Sequence, residues 1–242
     1  VSGADVVFVA SLFNTYLYSL MVSPAIKQPA DLKGKIVASG KLGSASDLIM
    51  RVALQHLNLI PDQDVTILQA GDQGERLTLM DTSQVVGTLV SIPETINAEA
   101  NGYHALLDLS TLNLPQVTSA IATSRSNLTA HPDTAVAFMQ AIVTAIARMK
   151  QDEAGSKAVI ADFLELDPTT DATLIAESYT VLIQQHLAEI PYPTDAGIQA
   201  SLDILVQENP SASNFKPADV VDVSILRHLD ESGFIRKLYA NQ

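Results

Sequence analysis

The fold is decided by the stretch Pro29–Leu57, which reads PADLKGKIVASGKLGSASDLIMRVALQHL. Its run Lys35–Ser39 (KIVAS) is short and apolar, which is typical of a strand buried in a parallel sheet. Gly40 and Gly43 interrupt this run, and apolar residues then recur at helical spacing over about 45–58. A helix that follows a strand directly begins at the carboxyl edge of the sheet, where open α/β sheets bind ligands.

The start of this helix carries a capping signal. Ser44 lies three residues before Asp47, which resembles a capping box with Asp in place of Glu. An ordinary helix cap explains the pattern as well as a ligand site does. The glycines lack both the G-x-G-x-x-G spacing of a dinucleotide site and the G-K-[ST] ending of a P-loop. The loop therefore marks a region for a ligand but does not indicate a nucleotide.

Composition excludes several classes of function. The chain has 242 residues with 47% hydrophobic and 17% charged residues, so it can bury a sizeable core. Its net charge of −13 argues against nucleic acid and anionic membrane surfaces as partners. Cysteine is absent, which excludes disulfides, thiolate metal sites and cysteine nucleophiles within these residues. No two of the five histidines have the spacing of a metal site, so no metal or cofactor is expected.

Strands and helices alternate in the first half, and helices dominate after about residue 130. This order predicts a parallel sheet with right-handed crossovers. The predicted strands are 5–10, 16–22, 35–39, 64–69, 85–90, 104–109 and 117–123. The predicted helices are 45–58, a short one through Leu77 and Met80, one from Pro93 to Asn101, and then 132–150, 153–165, 171–188, 195–208 and 223–232.

The pattern indicates two lobes. Residues 1–23 and 117–242 are predicted to form lobe one, and residues 24–116 an inserted α/β lobe two. The extended segments near 16–23 and 117–124 are expected to lie side by side where the chain crosses between the lobes.

The order of six segments resembles a known family. They are VFVASLFNTYLYSLMV (7–22), ADLKGKIVASGKLGSASDLIMRVAL (30–54), PDQDVTILQAGDQGERL (61–77), VVGTLVSIPETINAEANGY (85–103), HPDTAVAFMQAIVTAI (131–146) and ILRHLDESGFIRKLY (225–239). Together they are similar to the substrate-binding proteins of ABC importers for nitrate, sulfonates, taurine and thiamine-pyrimidine precursors. Each motif is loose, and their order and spacing make the match specific.

The resemblance implies an α/β, two-lobe fold of the type II periplasmic-binding-protein kind, with parallel or mixed sheets and a helical C-terminal region. It implies an extracytoplasmic solute-binding component, periplasmic or extracellular and in some cases lipid-anchored. Such a component captures a small anionic or heterocyclic ligand between its lobes, closes about a hinge and delivers the ligand to a membrane permease. No catalytic residue is expected.

The expected ligand-binding residues lie on loops at the carboxyl ends of strands. In lobe one they are Ser11, Leu12, Phe13 and Asn14, and in lobe two they are Gly43, Ser44, Ala45, Ser46, Gln73, Ser91 and Pro93. Ordinary turns are the alternative interpretation of each loop. Bare amides and hydroxyls suit a small oxyanion or a sulfonate, and Phe13 would suit a flat heterocycle.

One departure from the resemblance concerns the start of the chain. Family members begin with a βαβα segment, and this sequence begins where that segment would end, near Asp5–Ala10. We therefore expect either that further residues precede Val1 or that a second chain covers the sheet edge there.

Two other classes of function stay open at this stage. The same fold hosts some enzymes, including cysteine-dependent ones, and no G-x-S-x-G nucleophile elbow occurs here. A binding module for a protein partner is the third possibility. Ligand binding without turnover separates a binding protein from an enzyme.

Overall fold

A computed structural model describes residues 4–240 and divides the chain into two compact units. Unit 1 comprises Val1–Tyr16 and Pro115–Gln242, and unit 2 comprises Leu17–Leu114. The inserted unit therefore begins earlier than residue 24, because the strand Ser19–Val22 pairs within it.

The described residues form strands β1 to β7 and helices α1 to α11. The strands are β1 (Val7–Thr15), β2 (Ser19–Val22), β3 (Ile36–Ser39), β4 (Thr66–Gln69), β5 (Gly87–Val90), β6 (His104–Asp108) and β7 (Pro115–Thr123). The helices are α1 (Ala45–His56), α2 (Gln73–Asp81), α3 (Glu94–Ala100), α4 (Arg125–Ala130), α5 (Pro132–Gln151), α6 (Glu153–Phe163), α7 (Ala172–Ser178), α8 (Asp195–Glu208), α9 (Pro217–Val220), α10 (Ser224–Glu231) and α11 (Phe234–Tyr239).

Unit 2 contains a five-stranded mixed sheet in the order β4-β3-β5-β2-β6. Strand β3 runs parallel to β4 and β5, whereas β2 runs antiparallel to β5 and β6. The carboxyl ends of β3, β4 and β5 therefore share one edge, and α1, α2 and α3 begin just beyond it. The sequence prediction of a strand, a glycine loop and a helix over 35–58 is confirmed here.

The predicted side-by-side pairing of 16–23 with 117–124 is wrong. Strand β7 pairs antiparallel with β1, and β2 lies between β5 and β6 in unit 2. Leu20, Met21 and Val22 are each fully buried there. A short run without polar alternation is suited to such a central position, because both of its faces are covered.

The helices of unit 1 pack on the β1–β7 pair. One cluster joins Val7, Val9 and Ala10 of β1 to Met139 and Val143 of α5, with Leu226, Leu229 and Ile235 completing it. A second cluster contains Ile146, Tyr179, Ile183 and Leu187. The single helix predicted over 171–188 is instead α7 followed by a π-helical segment, Tyr179–His186.

Candidate functional site

The loop before α1 lies at the carboxyl edge of the unit 2 sheet. Ser44 is the N-cap residue with extended backbone, and Ala45 is the first helical residue. The Ser46 hydroxyl accepts a hydrogen bond from the Gly40 N–H at 3.2 Å, and the Ser44 and Ser46 hydroxyls lie 3.2 Å apart. The two hydroxyls predicted as ligand groups are thus neighbours. The exposed Gly43 places its backbone beside them.

The predicted capping box is wrong in its bonding. Ser44 makes no side-chain cap, and the Asp47 carboxylate accepts from the Gly43 N–H at 3.0 Å instead of the Ser44 N–H. Arg51 Nε also donates to that carboxylate oxygen at 3.2 Å. Asp47 is only 2% exposed, and its other oxygen has no partner among the described residues. Asp47 therefore holds the loop in shape, and the Ser44 hydroxyl is not used to cap the helix.

Gln73 and Ser91, both predicted ligand residues, bind each other. The Ser91 N–H donates to Gln73 Oε1 at 2.7 Å, and Gln73 Nε2 donates to Ser91 Oγ at 3.0 Å. The pair joins the start of α2 to the turn after β5. Pro93 follows as the N-cap residue of α3. The structure thus brings the loops after β4 and β5 together, at the same sheet edge as the Gly43–Ser46 loop after β3.

Arg76 of α2 is a polar residue of this edge that the sequence reasoning missed. It is 3% exposed, and its guanidinium donates to Thr88 Oγ1 at 3.0 Å, the Gly71 carbonyl at 2.8 Å and the Leu89 carbonyl at 3.0 Å. It forms no ion pair with a carboxylate of the described residues. The available signal was an arginine one turn into a helix that begins at a carboxyl edge, in a chain with a net charge of −13.

Burial lowers the pKa of Arg76, and electrostatic interactions with Tyr18, Asp72 and Glu94 oppose that shift. A guanidinium keeps its proton at neutral pH even when it is buried. Unit 2 therefore carries a permanent positive charge inside a region from which water is largely excluded.

The predicted loop Ser11–Asn14 in unit 1 is wrong as a loop, because all four residues lie within β1. Ser11 is fully buried and donates to the Phe13 carbonyl at 3.0 Å. Leu12 and Phe13 pack against the cluster around Tyr179. Asn14 Nδ2 donates to the Tyr192 carbonyl at 2.9 Å, and the Thr194 N–H donates to Asn14 Oδ1 at 3.2 Å. These side chains hold β1 against the Pro191–Thr194 connector.

Other polar groups offer no second centre in the described part of the chain. No group of three or more His, Asp or Glu residues within residues 4–240 could hold a metal ion. Arg125 forms an ion pair with Asp222 at 3.5 Å, as expected for an exposed arginine. No helix of the described residues is long and apolar enough to span a bilayer.

Comparison with protein families matches residues 1–154 to the family described as NMT1/THI5 like. The chain belongs to this family. A comparison with curated protein sequences finds no match for this NMT1/THI5-like chain. Its fold is nevertheless shared by many solved structures, and it is the type II periplasmic-binding-protein fold that the sequence predicted.

Three of these structures illustrate the range of proteins that share this fold, which includes binding proteins and an enzyme. The alkanesulfonate-binding protein SsuA from Xanthomonas axonopodis, bound to MOPS, aligns with a TM-score of 0.67 and 21% identity over 91% of this chain and 75% of its own. The periplasmic nitrate-binding protein NrtA from Synechocystis aligns with a TM-score of 0.72 and 14% identity over 94% and 67%. The desulfurization enzyme DszB aligns with a TM-score of 0.69 and 13% identity over 96% and 80%. At these identities the comparison shows the fold alone.

Proposed function

We propose that this NMT1/THI5-like protein is the extracytoplasmic solute-binding component of an ABC importer and delivers a small solute to a membrane permease. The observation that supports this most is the meeting of three strand–helix loops at one sheet edge of unit 2. These loops contain Gly43–Ser46, Gln73 and Ser91–Pro93. The structural neighbours include proteins named for binding alkanesulfonates and nitrate.

The unit 2 edge suits a small polar solute. It offers the hydroxyls of Ser44 and Ser46, the exposed Gly43 and Ala45 backbone, and the Gln73 amide. Groups of this kind at the start of a helix stabilise an anion or a polar oxygen. Residues Ser11–Asn14 of unit 1 stay a second proposed contact region, which rests on the family resemblance alone. A location outside the cytoplasm, with or without a lipid anchor, belongs to the same proposal.

The experiment is a binding panel with matched variants. Thermal shift followed by calorimetry is run with nitrate, alkylsulfonates, taurine and pyrimidines. We expect saturable binding of one class, and we expect Ser44→Ala/Ser46→Ala to weaken it about tenfold, because two hydrogen bonds are lost. Ser110→Ala in the same unit serves as the control and should leave affinity unchanged. The proposal fails if no solute in the panel binds, or if the double variant binds as the wild type does.

An enzyme on this fold is the second candidate, and the likeness to DszB is the observation that favours it. Any such activity of these 242 residues would proceed without a cysteine nucleophile. NMR of each bound solute over a day separates the two functions. An unchanged solute spectrum supports a binding protein, and a new product spectrum supports the enzyme.

A further inference from the structure

Arg76 has more hydrogen-bond donors than the described residues satisfy. A guanidinium carries five N–H groups, and the three bonds to Thr88, Gly71 and Leu89 use one each on Nε, Nη1 and Nη2. One N–H on each terminal nitrogen is left over. All three acceptors are neutral oxygens, so they orient the guanidinium without neutralising its charge.

The terminal nitrogen Nη1 of Arg76 lies near the serine loop. A Cβ atom built on Gly40 would lie 3.7 Å from Arg76 Nη1, 3.4 Å from Ser44 Oγ and 2.4 Å from Ser46 Oγ. A cation from α2 and two hydroxyls from the start of α1 thus lie near one point just after β3. A side chain at residue 40 would collide with Ser46 Oγ, so the glycine allows the two hydroxyls and the guanidinium to lie this close to the end of β3.

A buried cation without an acidic partner is costly, because water no longer solvates it and no opposite charge replaces the water. Asp72 and Glu94 are the acidic residues that act on Arg76 through space, and neither carboxylate forms an ion pair with it among the described residues. The Asp72 carboxylate is committed to the N–H of Glu75 at 2.9 Å. The counter-charge that Arg76 lacks is therefore most simply supplied by a bound anion.

We propose that Arg76 and the hydroxyls of Ser44 and Ser46 bind the charged group of the solute in unit 2. This group is a singly charged oxyanion such as a sulfonate or nitrate. This inference rests on the proposed function and specifies its ligand class. One fixed cation neutralises one negative charge. Asp47, Asp72 and Glu94 surround the edge, so a dianion such as sulfate is repelled.

The test compares two probes of nearly the same shape. Methanesulfonate and dimethyl sulfone share a tetrahedral sulfur with methyl and oxygen substituents, but only the first is charged. Calorimetry at low salt should show saturable binding of methanesulfonate and at least tenfold weaker binding of dimethyl sulfone and of sulfate. Equal binding of the neutral and charged probes would overturn the inference.

Two variants test whether Arg76 supplies the positive charge that binds methanesulfonate. Arg76→Gln should weaken methanesulfonate binding about 10- to 100-fold, because a charge-assisted hydrogen bond is lost. Lys33→Gln removes the same charge from an exposed side chain of unit 2 that pairs with Asp64, and it should change affinity less than twofold. A folded Arg76→Gln protein that binds methanesulfonate like the wild type would contradict the assignment.

A measurement on the wild type covers the case in which Arg76→Gln does not fold. The Nε–H resonance of Arg76, assigned through its side chain, should shift saturably with methanesulfonate and stay in place with dimethyl sulfone. An unmoved resonance at saturation would overturn the inference. If a neutral pyrimidine binds at the Ser44–Ser46 loop and no anion does, the proposed function survives and this inference fails. If no solute binds, both fail.

Discussion

Asp47 and Asp62 both bind Arg51, and they show how burial determines the contribution of one residue to the stability of the protein. Asp47 is 2% exposed and accepts from Gly43 and Arg51, whereas exposed Asp62 meets the same arginine at 2.7 Å. We expect Asp47→Ala to lower the free energy of unfolding by about 1–3 kcal/mol, because the Gly43 N–H and the Arg51 guanidinium both lose a buried acceptor. Asp62→Ala should cost less than about 1 kcal/mol, as surface ion pairs do. Urea unfolding measures both, and equal losses would show that burial is not the deciding factor.

At the scale of an element, helix α8 depends on a single side chain at its N-terminus. Its first turn is capped by Thr194, whose Oγ1 accepts from the Gly197 N–H at 3.1 Å, at the start of the helix that the sequence predicted over 195–208. We expect Thr194→Ala to destabilise the protein by about 1 kcal/mol and Thr194→Ser to preserve most of the stability, because serine retains the accepting oxygen. Chemical denaturation followed by circular dichroism distinguishes them. An alanine variant as stable as the serine variant would contradict the capping role.

The whole molecule should lose stability in acid. Backbone N–H groups of Lys27, Ile60 and Thr170 lower the pKa values of Asp31, Asp64 and Asp167 respectively, below their ordinary value of 3.8. A carboxylate with a lowered folded-state pKa stabilises the fold above its unfolded pKa, and this contribution is lost as the pH falls through the folded pKa. The denaturant concentration at the midpoint of unfolding should therefore decrease as the pH is lowered from about 5 to about 2. Asp167→Asn should flatten this fall, whereas Asp162→Asn, a change at an exposed helix residue, serves as the control. An Asp167→Asn profile that parallels the wild type would remove Asp167 from the explanation.

Local patterns were sufficient for several of the elements and for the family. The strand Ile36–Ser39, the helix Ala45–His56 and the Thr194 cap follow from apolar spacing, glycine and capping residues, all of which act within one turn or strand. The loops after β3, β4 and β5 could be placed at one edge for the same reason, since parallel strands share their carboxyl ends. The ordered set of segments was enough to indicate the type II fold.

The tertiary structure alone decided which strands pair and which charges are buried. Strand β2 belongs to unit 2 because β5 and β6 pair with its two hydrogen-bonding edges, and no local signal states which partners a short apolar run will find. Ser11–Asn14 became part of a strand because β7, more than a hundred residues later, supplies its partner. Arg76 reads in sequence as an ordinary helix surface residue. Only the folded chain shows that β5 and the loop after β4 hold its charge among neutral oxygens, because burial is a property of distant segments packed together.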